Sequence, residues 1–75
     1  MNKAIVGAVN GSYTITDVKP RSGSDEFVVL AHNPAAAQPY VTWRTIGDGV
    51  YYWGHYTVSE DAARVEFRER AAGRL

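Results

Sequence analysis

One stretch of seventeen residues, Tyr40 to Tyr56 (YVTWRTIGDGVYYWGHY), holds both tryptophans and four of the five tyrosines of the chain. Asp48-Gly49 sits near its centre. That dipeptide favours a two-residue hairpin turn, because both turn positions need positive φ. The stretch therefore reads as a β-hairpin of Tyr40–Ile46 and Val50–Thr57. A type I′ turn places Trp43 opposite Gly54, Val41 opposite Tyr56, Thr45 opposite Tyr52 and Arg44 opposite Trp53. A ring lying over a strand glycine stabilises such a pair. A three-residue loop, Gly47-Asp48-Gly49, is the competing register and sets Trp43 against Trp53. The first register is preferred. It gathers Val50, Tyr52, Tyr56 and Val58 on one face with Val41 and Trp43.

The preceding residues supply more strands. Ala4–Val9 is apolar and partly β-branched, and Asn10-Gly11 follows as a second hairpin signal. Ser12–Val18 then alternates, Tyr13 and Ile15 against Thr14 and Thr16. A turn at Asn10-Gly11 pairs Ala8 with Tyr13 and Val6 with Ile15. Lys19–Asp25 (KPRSGSD) carries the punctuation of a loop. Glu26–His32 is a continuous apolar run suited to a central strand. Asn33–Pro39 is bracketed by prolines, which push the residue before each toward extended geometry. Its three alanines are too few to nucleate a helix, so it is a loop with at most one turn.

A helix should close the chain. Ser59 is a suitable N-cap, and Glu60 and Asp61 complement the positive end of the helix dipole. The helix is expected to run to about Ala72, with Gly73 as its stop. Glu60/Arg64 and Glu66/Arg70 stand four apart in the favourable order. Ala63, Phe67 and Ala71 form a narrow apolar stripe, and Val65 points elsewhere. Residues 1–75 thus read as a single α+β domain: an antiparallel meander of four to five strands, open or curled toward a small barrel, with one C-terminal helix.

A domain this small buries only about 60% of the surface its unfolded chain exposes. It has no cysteine, so disulfides and thiolate zinc sites are ruled out. That suits a cytoplasmic setting. The apolar run in MNKAIVGAVNGS is too short and too polar for a signal peptide, and no segment approaches a membrane span. Eight basic residues balance eight acidic ones, which disfavours a dominant nucleic-acid footprint.

Catalytic and metal-binding spacings are missing. The histidines, His32 and His55, stand apart from any HExxH or HxxxH pattern, and Asp17, Asp25 and Asp48 are scattered. No metal or cofactor is expected. Ser12, Ser22, Ser24 and Ser59 occupy turns or a cap, none in a GxSxG context. Gly47-Asp48-Gly49 lies between strands, where hairpin geometry explains it better than a phosphate cradle does. The expectation is a non-enzyme.

What remains is an aromatic and basic strip. In the preferred register Tyr51, Trp53 and His55 share a face with Tyr40, Thr42 and Arg44, and Arg44 can stack on Trp53. The expected contact surface is Arg44, Tyr51, Trp53 and His55. Val41, Trp43, Tyr52 and Tyr56 then form the core, buried against Phe67. Trp, Tyr and Arg are the residues enriched at protein-binding hot spots. Aromatics beside arginines on a sheet also stack bases of single-stranded nucleic acid. The plainer reading is that the rings pack under the helix and the Asn33–Pro39 loop. A second candidate is a basic patch of Lys19, Arg21, Arg64 and Arg68, for which a solvated helix face is the plainer reading. The leading expectation is a protein-binding module, inhibitor- or adaptor-like. The alternatives are RNA or single-stranded nucleic-acid binding, and self-association.

The segment YVTW…YYWGHY before an acidic-capped helix is similar to short proteins carried by bacterial mobile elements. The resemblance implies an inhibitor or adaptor that occupies a partner's surface, anti-CRISPR proteins among them. It assigns no site.

Overall fold

The computed structural model describes residues 5–74. Five strands form one antiparallel sheet in chain order: β1 (Val9–Asn10), β2 (Tyr13–Pro20), β3 (Phe27–His32), β4 (Tyr40–Thr45) and β5 (Tyr52–Thr57). The helix α1 (Glu60–Ala71) follows. The sheet is a meander curled into a half-barrel. This is the α+β architecture that the two glycine turns and the capped tail imply. The expected start of the first strand at Ala4 lies outside the described residues, as do Met1–Lys3. Among the described residues no helix is long and apolar enough to cross a membrane.

The helix ends are built as the sequence indicates. Ser59 is the N-cap and its side chain accepts a hydrogen bond from the Ala62 amide. At the other end Gly73 takes a φ of +82°, which lets its amide donate to Arg70 O and the Arg74 amide to Glu69 O. These two bonds are the Schellman closure.

Each hairpin departs from its expected register. In the first, Asn10 pairs with Tyr13 and Val9 with Thr14, so the turn is Gly11-Ser12 rather than Asn10-Gly11. Gly11 supplies the positive φ, +62°, at the first turn position. Ala8 now lies opposite Ile15, to which its carbonyl is hydrogen-bonded. The partner moves by two residues, so each side chain keeps its face. Ile15 is accordingly buried, while Ile5 and Val6 are left exposed.

In the second hairpin both candidate registers occur. Tyr40↔Thr57, Val41↔Tyr56 and Thr42↔His55 follow the preferred pairing, and then Arg44 pairs with Tyr52 in place of Trp53. One extra residue is accommodated between, a β-bulge that sets Trp53 and Gly54 together against Trp43. The bulge exchanges the faces of Tyr51 and Tyr52 relative to the expected assignment.

The helix covers the face opposite to the one expected. Phe67, Ala63 and Ala71 pack on Val28 and Leu30, not on Val41 and Trp43. The other face holds a second cluster, Ile15, Val29, Ala31, Val41 and Trp43, with Tyr13 and Tyr51 against it. There the curl of the sheet and its rings do the covering. Tyr13, Tyr51 and Tyr56 surround Trp43 at centroid distances of 5.8, 5.6 and 6.2 Å. β3 makes this possible because it is apolar on both faces, the pattern of a strand buried on two sides.

Candidate functional site

The site grows from the bulge. Gly54 has no room for a side chain: a Cβ there would lie 2.7 Å from Trp43 Nε1 and 3.0 Å from Tyr56 Cε1. The Trp43 indole therefore fixes where β5 can run. The extra residue falls on Trp53, whose φ of +57° makes it the one non-glycine residue with positive φ among those described. A left-handed residue other than glycine costs of order 1–3 kcal/mol and persists only where its surroundings impose it.

Those surroundings are two arginines. Arg70, on α1, is only 3% exposed. Its Nη1 donates to Thr42 O and Thr42 Oγ1, each at 3.0 Å, and its Nη2 donates to Trp53 O at 2.6 Å. The expected Glu66/Arg70 pair does not form. Burial pulls the Arg70 pKa below its ordinary value, with the nearby Glu66 charge acting in the opposite sense. Arginine nevertheless stays charged. The second arginine, Arg44, lies under the Trp53 ring with its guanidinium carbon 4.4 Å from the centroid, the stacked pair that the sequence suggests. Such a contact is worth about 0.5–1 kcal/mol at an exposed site, less than the strain on Trp53, so the Arg70 bonds must contribute to holding it.

Arg44 is itself tied down. Its Nε donates to Glu26 Oε1 at 2.9 Å, and Nη2 forms an ion pair with the same oxygen. Tyr52 donates its hydroxyl to Glu26 Oε2 at 2.5 Å. The Tyr52 hydrogen bond, then that of Arg44, holds the Glu26 carboxyl below its ordinary pKa of 4.5, and the same bond raises the Tyr52 pKa. Because the folded value of Glu26 is depressed, its contribution to stability is complete above the ordinary value. It is lost as pH falls through the folded one. We expect the stability gap between the parent and Glu26→Gln, read from urea midpoints, to be largest near neutral pH and to shrink as pH falls below the ordinary value of 4.5. A gap unchanged between pH 7 and pH 3 would contradict the assignment.

The four aromatic-strip residues thus separate. Arg44 and Trp53 meet, and Trp53 remains 65% exposed. Tyr51 does not join them: the bulge turns it to the opposite face beside Trp43. Tyr52 takes its place, its ring edge-on to Trp53 at 5.9 Å. His55 lies beyond the bulge, where Nδ1 contacts Glu66 Oε1 of α1. Of the residues expected as core, Val41 and Trp43 are buried, Tyr52 is half-buried and Tyr56 is exposed on one side.

The basic patch is brought partly together. Asp17 reaches Arg64 at 3.6 Å, and the Ser22 amide donates to Ala71 O. These two contacts tie β2 and the loop after it to α1. Arg64 is also paired with Glu60, which together with Asp17 offsets its charge. Arg21 is half-buried in the loop beside Glu26, its amide donating to Glu26 O.

His32 stacks on Tyr40 at 4.6 Å, and no group of three side chains suited to a metal occurs among the described residues. His55 and Glu66 line a groove of about 460 Å³ with Tyr56 and Ala62. A histidine–carboxylate pair could shuttle a proton, but no serine lines this groove and the His55 side chain is 58% exposed.

Sequence reasoning did not place Glu26, Tyr52 or Arg70 in the site: Tyr52 was expected in the core and Arg70 paired with Glu66. Arg70 had a signal: it stands three residues after Phe67 and seven after Ala63, on the border of the apolar stripe. A comparison with protein-family models, curated proteins and solved structures finds no match for the chain.

Proposed function

We propose that this chain is a small non-catalytic binding module that engages a protein partner, inhibitor- or adaptor-like, with Trp53 as the anchor. The observation that carries this reading is the treatment of Trp53. A large ring is held outward in a strained backbone conformation, its carbonyl bonded by a buried arginine and its face seated on a second one. Backbone strain of this kind concentrates at functional positions. A preorganised tryptophan also loses little freedom on binding, which is how a few residues come to dominate an interface. The zero net charge favours a protein over a nucleic acid.

Two variants test the anchor. Trp53→Ala removes the ring and keeps the strained position; Trp53→Gly removes both. Each gives up the cation–π contact, and the glycine variant trades relief of strain against a more flexible unfolded chain. We expect both to melt within about 1 kcal/mol of the parent. Partner recovery from host lysate should meanwhile fall by about thirtyfold or more, the scale of a hot-spot residue. Recovery should survive nuclease and depend mildly on salt. Loss of all partners after nuclease, or a steep salt dependence, would move the reading to nucleic acid.

A further inference from the structure

The curled sheet has two open edges, and the sequence treats them differently. Among the described residues β1 reaches only Val9 and Asn10, and β2 pairs on one side alone from Asp17 to Pro20. That edge carries Lys19, Pro20 and a β-bulge between Ile15 and Asp17. Each is a device that keeps another strand from adding to an edge. β5 is the other edge, and among the described residues β4 is its one neighbouring strand. Its sequence, YWGHYT, has no lysine, acid or proline. Its own bulge lies toward one end, and His55, Tyr56 and Thr57 pair in regular register with β4. An unguarded edge of this kind is a template for main-chain pairing.

The groove beside that edge has a definite chemistry. Its floor is Gly54–Thr57, and its wall is Ala62, Ala63 and Glu66 of α1. No lysine or arginine lines it, and Glu66 is its one acid. Tyr56 and Val58 lie exposed along the strand and just past its end.

We infer that β5 accepts an extended strand from the partner protein, with a lysine or arginine of that strand directed at Glu66. Main-chain hydrogen bonds supply the attachment, and alternate side chains read the groove. The inference rests on the proposal that Trp53 anchors a protein, and it adds the form that protein presents. A second copy of this chain is a poorer occupant. Two-fold pairing of β5 with itself would bring Glu66 of both copies to the same face of the joined sheet, like charge beside like.

The test uses the full ¹⁵N-labelled chain and two blocked seven-residue peptides, one alternating valine with lysine and one alternating valine with glutamate. The lysine peptide should shift the amides of His55–Val58 and slow their hydrogen exchange. The glutamate peptide should bind about two- to fivefold more weakly, as one partly exposed charge pair allows. Glu66→Gln keeps a hydrogen-bond partner for His55 and removes the charge, so it should erase the difference between the peptides. Unmoved β5 amides at millimolar lysine peptide, or equal effects of both peptides on the parent, overturn the inference. So does concentration-dependent broadening of those amides without peptide, which would assign the edge to a second copy. None of these results bears on Trp53 as an anchor, which is judged by partner recovery with Trp53→Ala and by its resistance to nuclease and salt.

Discussion

Trp43→Ala should remove a large share of the domain's stability, about 3–5 kcal/mol. The indole is 6% exposed and ringed by Tyr13, Tyr51 and Tyr56, with Gly54 directly beneath it. Truncating a buried aromatic costs about 3–5 kcal/mol, because the transfer energy of the ring is lost and the cavity closes only in part. A chain of this length has a total stability of roughly 4–11 kcal/mol at the usual value per residue. The ring also determines where β5 can run, so its loss should release the bulge as well. Urea melts followed by far-ultraviolet circular dichroism measure this. A variant that melts within about 1 kcal/mol of the parent would show that the three tyrosines fill the space unaided.

Arg70→Leu should be the next most damaging change, by about 2–4 kcal/mol, although a leucine at a buried helix position looks favourable. The replacement strands Thr42 O, Thr42 Oγ1 and Trp53 O, which share one guanidinium. A buried acceptor left without a donor costs about 1–3 kcal/mol. Removing the charge recovers the cost of its desolvation, so the net loss is smaller than three such terms. Arg70→Lys should fall between, since one ammonium cannot reach both carbonyls from a planar fork. The amides around Trp53 and Gly54 should exchange faster in both variants while those of β2 and β3 do not. A leucine variant as stable as the parent would mean that desolvation of the guanidinium outweighs its three bonds.

The contrast between these two residues marks where sequence reasoning works. Trp43 was legible because alternation puts it on the face of Val41, and the glycine it covers stands at the matching position across the turn. Arg70 was not, because four-residue spacing to Glu66 offered a surface partner that the tertiary structure declines. Glu26 was equally hidden. It directly precedes β3, in a run read only as an apolar central strand, yet it joins Arg44 and Tyr52 across the sheet.

The amino-acid sequence by itself determined the elements and their order. Glycine turns, strand alternation, the Ser59 cap and the Gly73 stop are local devices, and local chemistry suffices to read them. It also determined that β3 would be central, from an apolar run too long for one-sided burial. Only the tertiary structure decided which face of the sheet the helix covers and where the second hairpin changes register. Both choices depend on volume: the Trp43 ring needs the space above Gly54, and Phe67 needs the space above Val28 and Leu30. Two overlapping registers at Gly47-Asp48-Gly49 were each consistent with the turn, and packing used both, placing the extra residue at Trp53. The site is what resulted, because a bulge aims one side chain outward and sets the next against the core.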